Sequence, residues 1–212
     1  HSVWVVNSFY REFRGLQVTA RLFDFSLRPR GSWAATVDVA PDGNTRAFVL
    51  RWPPGLTRTF FLSLKLADRS GRVLSDNFYW LSTLPEIPAS QGSRGGVFYL
   101  DTKSYPDYTA LTGLPPAPLR VFSEFRPDGP EMEGVVTVEN PGDHLAFLVQ
   151  LSLRRGENGE EIAPCYWEDN YFSLLPGKRR EIRVRFPTAE LPATRPVARA
   201  SSWPEFGRRG AR

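Results

Sequence analysis

One cysteine, two histidines and three lysines are all that 212 residues hold of those types. A lone Cys165 allows no intrachain disulfide and no metal site built on paired cysteines. His1 and His144 stand far apart, which gives no support to a zinc site or to a Ser-His-Asp triad. No apolar run approaches the ~18 residues that a membrane-spanning helix needs, and no membrane partner is expected. No segment shows a sustained helical period. Glycines are scattered and form no phosphate-cradling loop. No cofactor is implied. The first residues carry no leader pattern, which leaves the compartment unassigned.

What the chain has in quantity is alternation. Trp33, Ala35, Val37 and Val39 alternate with Ala34, Thr36 and Asp38. Phe60, Leu62, Leu64 and Leu66 alternate with Phe61, Ser63 and Lys65. Phe147, Val149, Leu151 and Leu153 alternate with Leu148, Gln150, Ser152 and Arg154, and Ile182, Val184 and Phe186 with Glu181, Arg183 and Arg185. Side chains of a strand point alternately to its two faces, so each segment offers one apolar face to a core. Turn signals lie between such segments: Pro41-Asp42-Gly43-Asn44, Pro53-Pro54-Gly55, Asp68-Arg69-Ser70-Gly71, Pro127-Asp128-Gly129-Pro130, Asn140-Pro141-Gly142-Asp143 and Pro176-Gly177. Many short strands joined by Gly/Pro turns predict an all-β sandwich or barrel.

The chain also echoes itself. Val5-Val6-Asn7 and Val138-Glu139-Asn140 are each followed by a turn and a long alternating segment. Asp76-Asn77-Phe78-Tyr79-Trp80 resembles Asp169-Asn170-Tyr171-Phe172-Ser173. Echoes at this spacing are too long for a solenoid unit and predict two β-sandwiches in tandem. We place them at residues 1–84 and 119–212. A structured linker over 85–118, where alternation weakens, would contain a short strand at Val97 to Leu100.

The adjacent carboxylates Glu168 and Asp169 should point opposite ways if extended. A glycosidase pair must face each other across a bond. The better reading is that Asp169 and Asn170 begin a strand or cap a turn, with Tyr171 and Ser173 on one strand face and Phe172 and Leu174 on the other. Trp80 and Trp167 could stack on a sugar, but large aromatics in strands usually bury their area, and Trp4, Trp33, Trp52 and Trp203 are read likewise. Arg179, Arg180, Arg183 and Arg185 form a cluster without the stacking platform of a nucleic-acid binder. The net charge of +4 comes from 27 basic and 23 acidic residues intermixed, so no nucleic-acid partner is expected. Cys165, beside Tyr166 and Trp167, reads as a small buried apolar residue.

Trp167-Glu168-Asp169-Asn170-Tyr171-Phe172-Ser173-Leu174-Leu175-Pro176-Gly177, followed by an alternating strand, resembles the last Ig-like domain of glycoside hydrolase family 2. The pattern Trp-x-Asp-Asn-Tyr-x-Ser-Leu-x-Pro-Gly is similar to that of the exo-β-D-glucosaminidase and β-mannosidase-like branch. Asp76 to Ser82 resembles the end of the preceding Ig-like domain, Asp107 to Pro115 the connector after it, and Phe147 to Arg155 the strand before the final motif. The resemblance implies that the catalytic glutamates sit in a (β/α)₈ barrel preceding these domains. It assigns no catalytic residue here. The chain is then expected to be a non-catalytic C-terminal accessory region that braces the barrel of a retaining exo-glycosidase, with that barrel as its partner. Oligosaccharide contact is an open expectation, with Tyr105 and Tyr108 in the linker as the cleft-rim candidates. A secreted or periplasmic enzyme would fit polysaccharide breakdown.

Two rivals belong to other classes. A free-standing chaperone or adhesin of two Ig-like domains would pair an open edge strand with a partner, and Gly96 to Leu100 is its candidate. A free carbohydrate-binding module would need a planar row of exposed aromatics.

Overall fold

The computed structural model describes residues 1–89, 102–190 and 195–205. The expected strand at Val97 to Leu100 lies outside them. The ordered elements among the described residues are fifteen β-strands and two 3-10 turns, Thr109–Gly113 and Thr188–Glu190. The chain is all-β and folds as two tandem Ig-like sandwiches. Contacts divide it into His1–Leu111 and Thr112–Arg212.

The first unit contains β1 (Ser2–Asn7), β2 (Phe13–Asp24), β3 (Pro29–Val39), β4 (Gly43–Val49), β5 (Thr59–Ala67) and β6 (Val73–Ser82), then the short pair β7 (Ile87–Pro88) and β8 (Thr102–Ser104). A two-stranded sheet β1-β4 accompanies a four-stranded sheet β3-β2-β5-β6. The core between them holds Val3, Val5, Leu16, Val18, Ala20, Leu22, Val39, Leu50, Phe60 and Leu62. Trp33, Val37, Leu64 and Leu66 pack against it, as their alternation predicts. Phe61 departs from the pattern. It faces away from Phe60 and Leu62 yet is wholly buried, because Phe25 and Phe78 stack on it with ring centroids 5.8 and 5.6 Å away. Periodicity assigns Phe61 to the polar side, and its neighbours, brought from the turn after β2 and from β6, overrule it.

The second unit contains β9 (Arg120–Asp128), β10 (Glu131–Glu139), β11 (Ala146–Arg155), β12 (Tyr166–Trp167), β13 (Phe172–Leu174), β14 (Arg179–Pro187) and β15 (Pro196–Trp203). Its sheets run β12-β14-β10-β9 and β13-β11-β15, all pairs antiparallel. Val136, Val138, Val149, Leu151, Leu153, Phe172, Leu174, Ile182, Val184 and Phe186 fill the core. A β-bulge interrupts β11 where Leu148 takes a φ of 47°. The extra residue shifts the phase, so Ala146 joins the core cluster in place of the expected Phe147, which is buried elsewhere.

The two echoes fare differently. Asn7 and Asn140 are true equivalents. Asn7 Nδ2 donates to the carbonyls of Arg11 and Ala40, both at 2.8 Å, and its Oδ1 accepts the Phe9 N–H. Asn140 repeats this with the carbonyls of His144 and Leu174, at 2.8 and 2.9 Å, and the Gly142 N–H. Each amide is buried and clasps the turn leaving its strand. Asn77 and Asn170 are not equivalent. Asn77 lies in regular register opposite Leu64 within β6, whereas Asn170 sits between β12 and β13.

Candidate functional site

The segment from Cys165 to Phe186 gathers the residues with most apparent chemistry. β12 begins it and pairs Tyr166 with Arg185 and Trp167 with Val184. Glu168 continues this ladder: its N–H donates to the Arg183 carbonyl at 2.9 Å, and its carboxylate accepts the Arg183 N–H. The chain then turns. Asp169 Oδ1 accepts the Asn170 N–H, and the other oxygen pairs with the Arg180 guanidinium at 2.8 Å. Arg180 also lies over the Phe172 ring, 5.2 Å from its centroid. Asn170 acts as a substitute strand residue. Its Oδ1 accepts the Leu151 N–H at 2.8 Å and its Nδ2 donates to the Leu151 carbonyl at 3.1 Å. That pairing joins the segment to β11, where β13 takes over the edge. Tyr171 has a φ of 59°, is half exposed and precedes the strand, so it does not share a strand face with Ser173 as the alternation implies. Phe172 and Leu174 are buried in the core as expected.

Glu168 and Asp169 therefore bond to different stretches of β14, one extending the ladder and one bound to Arg180. Each carboxylate serves the fold. Arg180 and Arg185 of the arginine cluster are similarly engaged, Arg180 by Asp169 and Arg185 by Glu133. Glu133 on β10 lies directly opposite Arg126 of β9 and Arg185 of β14. The Arg126 Nε–H donates to it at 3.1 Å, and Arg185 approaches to 3.8 Å. The Arg126 hydrogen bond, with the nearby charges of Arg126, Arg185 and Arg183, holds the Glu133 carboxyl below its ordinary range. A row of alternating sign is a solvated sheet face and not a phosphate track.

Cys165 is half-buried against the second core and donates its thiol hydrogen to the Ile162 carbonyl. Burial, reinforced by the charge of Glu161, pushes the thiol up to about 11. It is nearly all thiol near neutrality and a poor nucleophile. Among the described residues no group of His, Cys, Asp and Glu is arranged to hold a metal ion. An open polar groove of about 460 Å³ lies beside Ser152, Arg154, Glu157 and Arg199, where Arg199 pairs with Glu157 and Arg154 donates to the Gly159 carbonyl.

The tryptophans divide. Trp33, Trp52 and Trp167 pack against the cores. Trp4 does not: it points outward from β1 with about half its surface exposed and Arg46 over its ring.

The connector is fastened to the first unit. Thr59 Oγ1 donates to the Asp107 carbonyl at 2.9 Å, and the Asp107 N–H donates to Ser82 Oγ at 3.2 Å. The Thr109 hydroxyl and N–H bond to the Asp107 carboxylate and hold it below its ordinary range. Tyr105 projects into solvent, and Tyr108 is partly buried with its carbonyl accepting the Leu111 N–H. The candidate edge strand Gly96 to Leu100 lies outside the described residues. Sequence reasoning missed the clasp made by Asn140, although the repeated Asn after a Val-rich strand was its visible signal.

Comparison with known proteins gives a consistent picture. The family model for the exo-beta-D-glucosaminidase Ig-fold domain matches residues 97–203, and that for the mannosidase Ig/CBM-like domain matches residues 1–84. An exo-beta-D-glucosaminidase of Streptomyces avermitilis is 30% identical over 95% of this chain and 23% of its own length. One from Arthroderma benhamiae is 35% identical over 60% of this chain and 14% of its own length. The crystal structure of Amycolatopsis orientalis exo-chitosanase CsxA superposes with a TM-score of 0.89 at 26% identity, covering 96% of this chain and 24% of that one. The chain thus spans about a quarter or less of the relatives it matches.

Proposed function

We propose, from the premise that this chain belongs to the exo-β-D-glucosaminidase Ig-fold domain family, that it is the non-catalytic C-terminal region of a retaining family 2 exo-glycosidase. The activity would be release of β-linked glucosamine, and the region's task would be to brace the catalytic barrel. The observation that carries this reading is coverage. The likeness to an exo-chitosanase extends over 96% of this chain but only 24% of that protein. The chemistry is in keeping with it, since Glu168 and Asp169 are both engaged by β14.

The test is turnover of aryl β-D-glucosaminide and aryl β-D-mannoside by this chain and by the full-length gene product. The chain alone should hydrolyse neither, and the full-length enzyme should prefer the glucosaminide. Turnover by the chain alone would overturn the accessory reading, and a preference for mannoside would overturn the choice of sugar.

We also propose Tyr105 and Tyr108 as the residues nearest the substrate cleft. Supporting this, the exposed Tyr105 sits on a connector that Asp107 ties to β5 and β6. In the full-length enzyme Tyr105→Ala should raise KM several-fold with little change in kcat, the signature of lost ground-state binding. An unchanged KM would remove Tyr105 from the site.

A further inference from the structure

The two units carry the same strand at the same place. Val3 and Val5 precede Asn7 as Val136 and Val138 precede Asn140, and all four valines are buried. β1 pairs with β4 as β10 pairs with β14. On its other side β10 pairs with β9 along its whole length, from Glu131 opposite Asp128 to Glu139 opposite Arg120. Among the described residues β1 has no second neighbour.

The unbalanced sheet leaves visible consequences. Two strands face four in the first unit. Tyr79 of β6 lies opposite Leu62, on the core-facing side, yet is 43% exposed. Asn77, opposite Leu64, is exposed as well. An open groove of about 280 Å³ runs between Val3 and Val5 on one side and Leu64, Leu66 and Asn77 on the other. In the second unit the equivalent position beside Val136 and Val138 is taken by β9, whose Val121 and Phe125 pack against the core.

We propose that the free edge of β1 receives one further antiparallel strand, contributed by the polypeptide directly N-terminal to His1 in the parent enzyme. The inference rests on the reading that this chain is part of a longer family 2 enzyme, whose relatives are about four times its length. Three features select this occupant. β9 reaches β10 through the tight Gly129–Pro130 turn, so the equivalent strand stands immediately upstream. An unpaired strand edge presents a row of N–H and C=O groups that another strand satisfies. The groove is apolar at Val3, Val5, Leu64 and Leu66, so the incoming strand needs apolar residues on its inward face, as β9 has at Val121 and Phe125 on either side of Ser123.

Hydrogen exchange tests this on two proteins: this chain, and the same chain begun about twenty residues upstream in the parent gene, long enough for a turn and a strand of ordinary length. Alternate amides of Ser2–Asn7 should exchange at least tenfold more slowly in the longer protein, while β10 serves as the unchanged internal control. If the first unit fails to fold without the extension, the contrast runs the same way and is larger. Equal exchange of β1 in both proteins would overturn the proposal. So would slowing that appears in the short chain only as it dimerises and is unaltered by the extension, which would make a second copy the occupant. Glycosidase activity of the parent, measured separately, distinguishes the two levels. An active parent with β1 unprotected sinks the strand alone, and an inactive parent with β1 protected sinks the functional reading alone.

Discussion

Asn140→Ala is expected to destabilise the second unit by about 3 kcal/mol and leave the first unit unchanged. The amide of Asn140 is wholly buried and makes three hydrogen bonds. Alanine would leave the His144 and Leu174 carbonyls and the Gly142 N–H without this partner. Each group so orphaned costs about 1–3 kcal/mol, less what water recovers at the turn. The bonds also join partners distant in sequence: the Leu174 carbonyl belongs to β13, on the opposite sheet from β10. For a unit of this size such a loss lowers Tm by about 15 °C. Asn140→Asp should be at least as damaging, because a carboxylate oxygen would face two carbonyl oxygens that now receive N–H groups. Denaturant unfolding with hydrogen exchange resolved by unit is the measurement. A loss below about 1 kcal/mol would show that the clasp is dispensable.

Phe186→Ala should cost about 4 kcal/mol, again confined to the second unit. Phe186 has no exposed surface and meets the edge of Phe125 with ring centroids 6.0 Å apart. Phe125 in turn lies over Gly134, where an added Cβ would stand 2.5 Å from the ring and 3.0 Å from Val184. The missing side chain of Gly134 is thus the seat for one ring, and that ring supports the other. Truncation would remove the larger part of Phe186 and leave a cavity that Phe125 cannot fill without leaving its seat. Phe186→Leu keeps most of the volume and should cost less than half as much. Equal losses in the two variants would mean that the cavity is not the cause.

Much of this architecture was legible from alternation alone. β3, β11 and β14 show the burial phase that Trp33, Val149 and Ile182 announce. The turn signals mark connections, although Pro127 and Asp128 extend β9 before the turn at Gly129. The departures have one cause. Phe61, Phe147 and Tyr171 take positions set by partners or bulges that local period does not encode. The pairing of Asn170 with Leu151 is of the same kind: an amide replacing a strand residue leaves no periodic mark. At the candidate site, the separate engagement of Glu168 and Asp169 follows from their adjacency, but their partners on β14 do not.

The burial of Phe61 on the far side of its sheet has a consequence for register. A strand with one apolar face resists a slip of one residue, because the slip would turn its core residues to water. After Thr59, β5 runs through Phe60, Phe61 and Leu62, all buried, so that restraint is absent over the start of the strand. Lys65 is the single charged residue of β5, and it stands exposed opposite Asp76. A one-residue shift would drive its ammonium into the core between the sheets. Lys65, together with Leu64 and Leu66 on the core side, thus sets the alignment that the uniformly buried start of β5 leaves open.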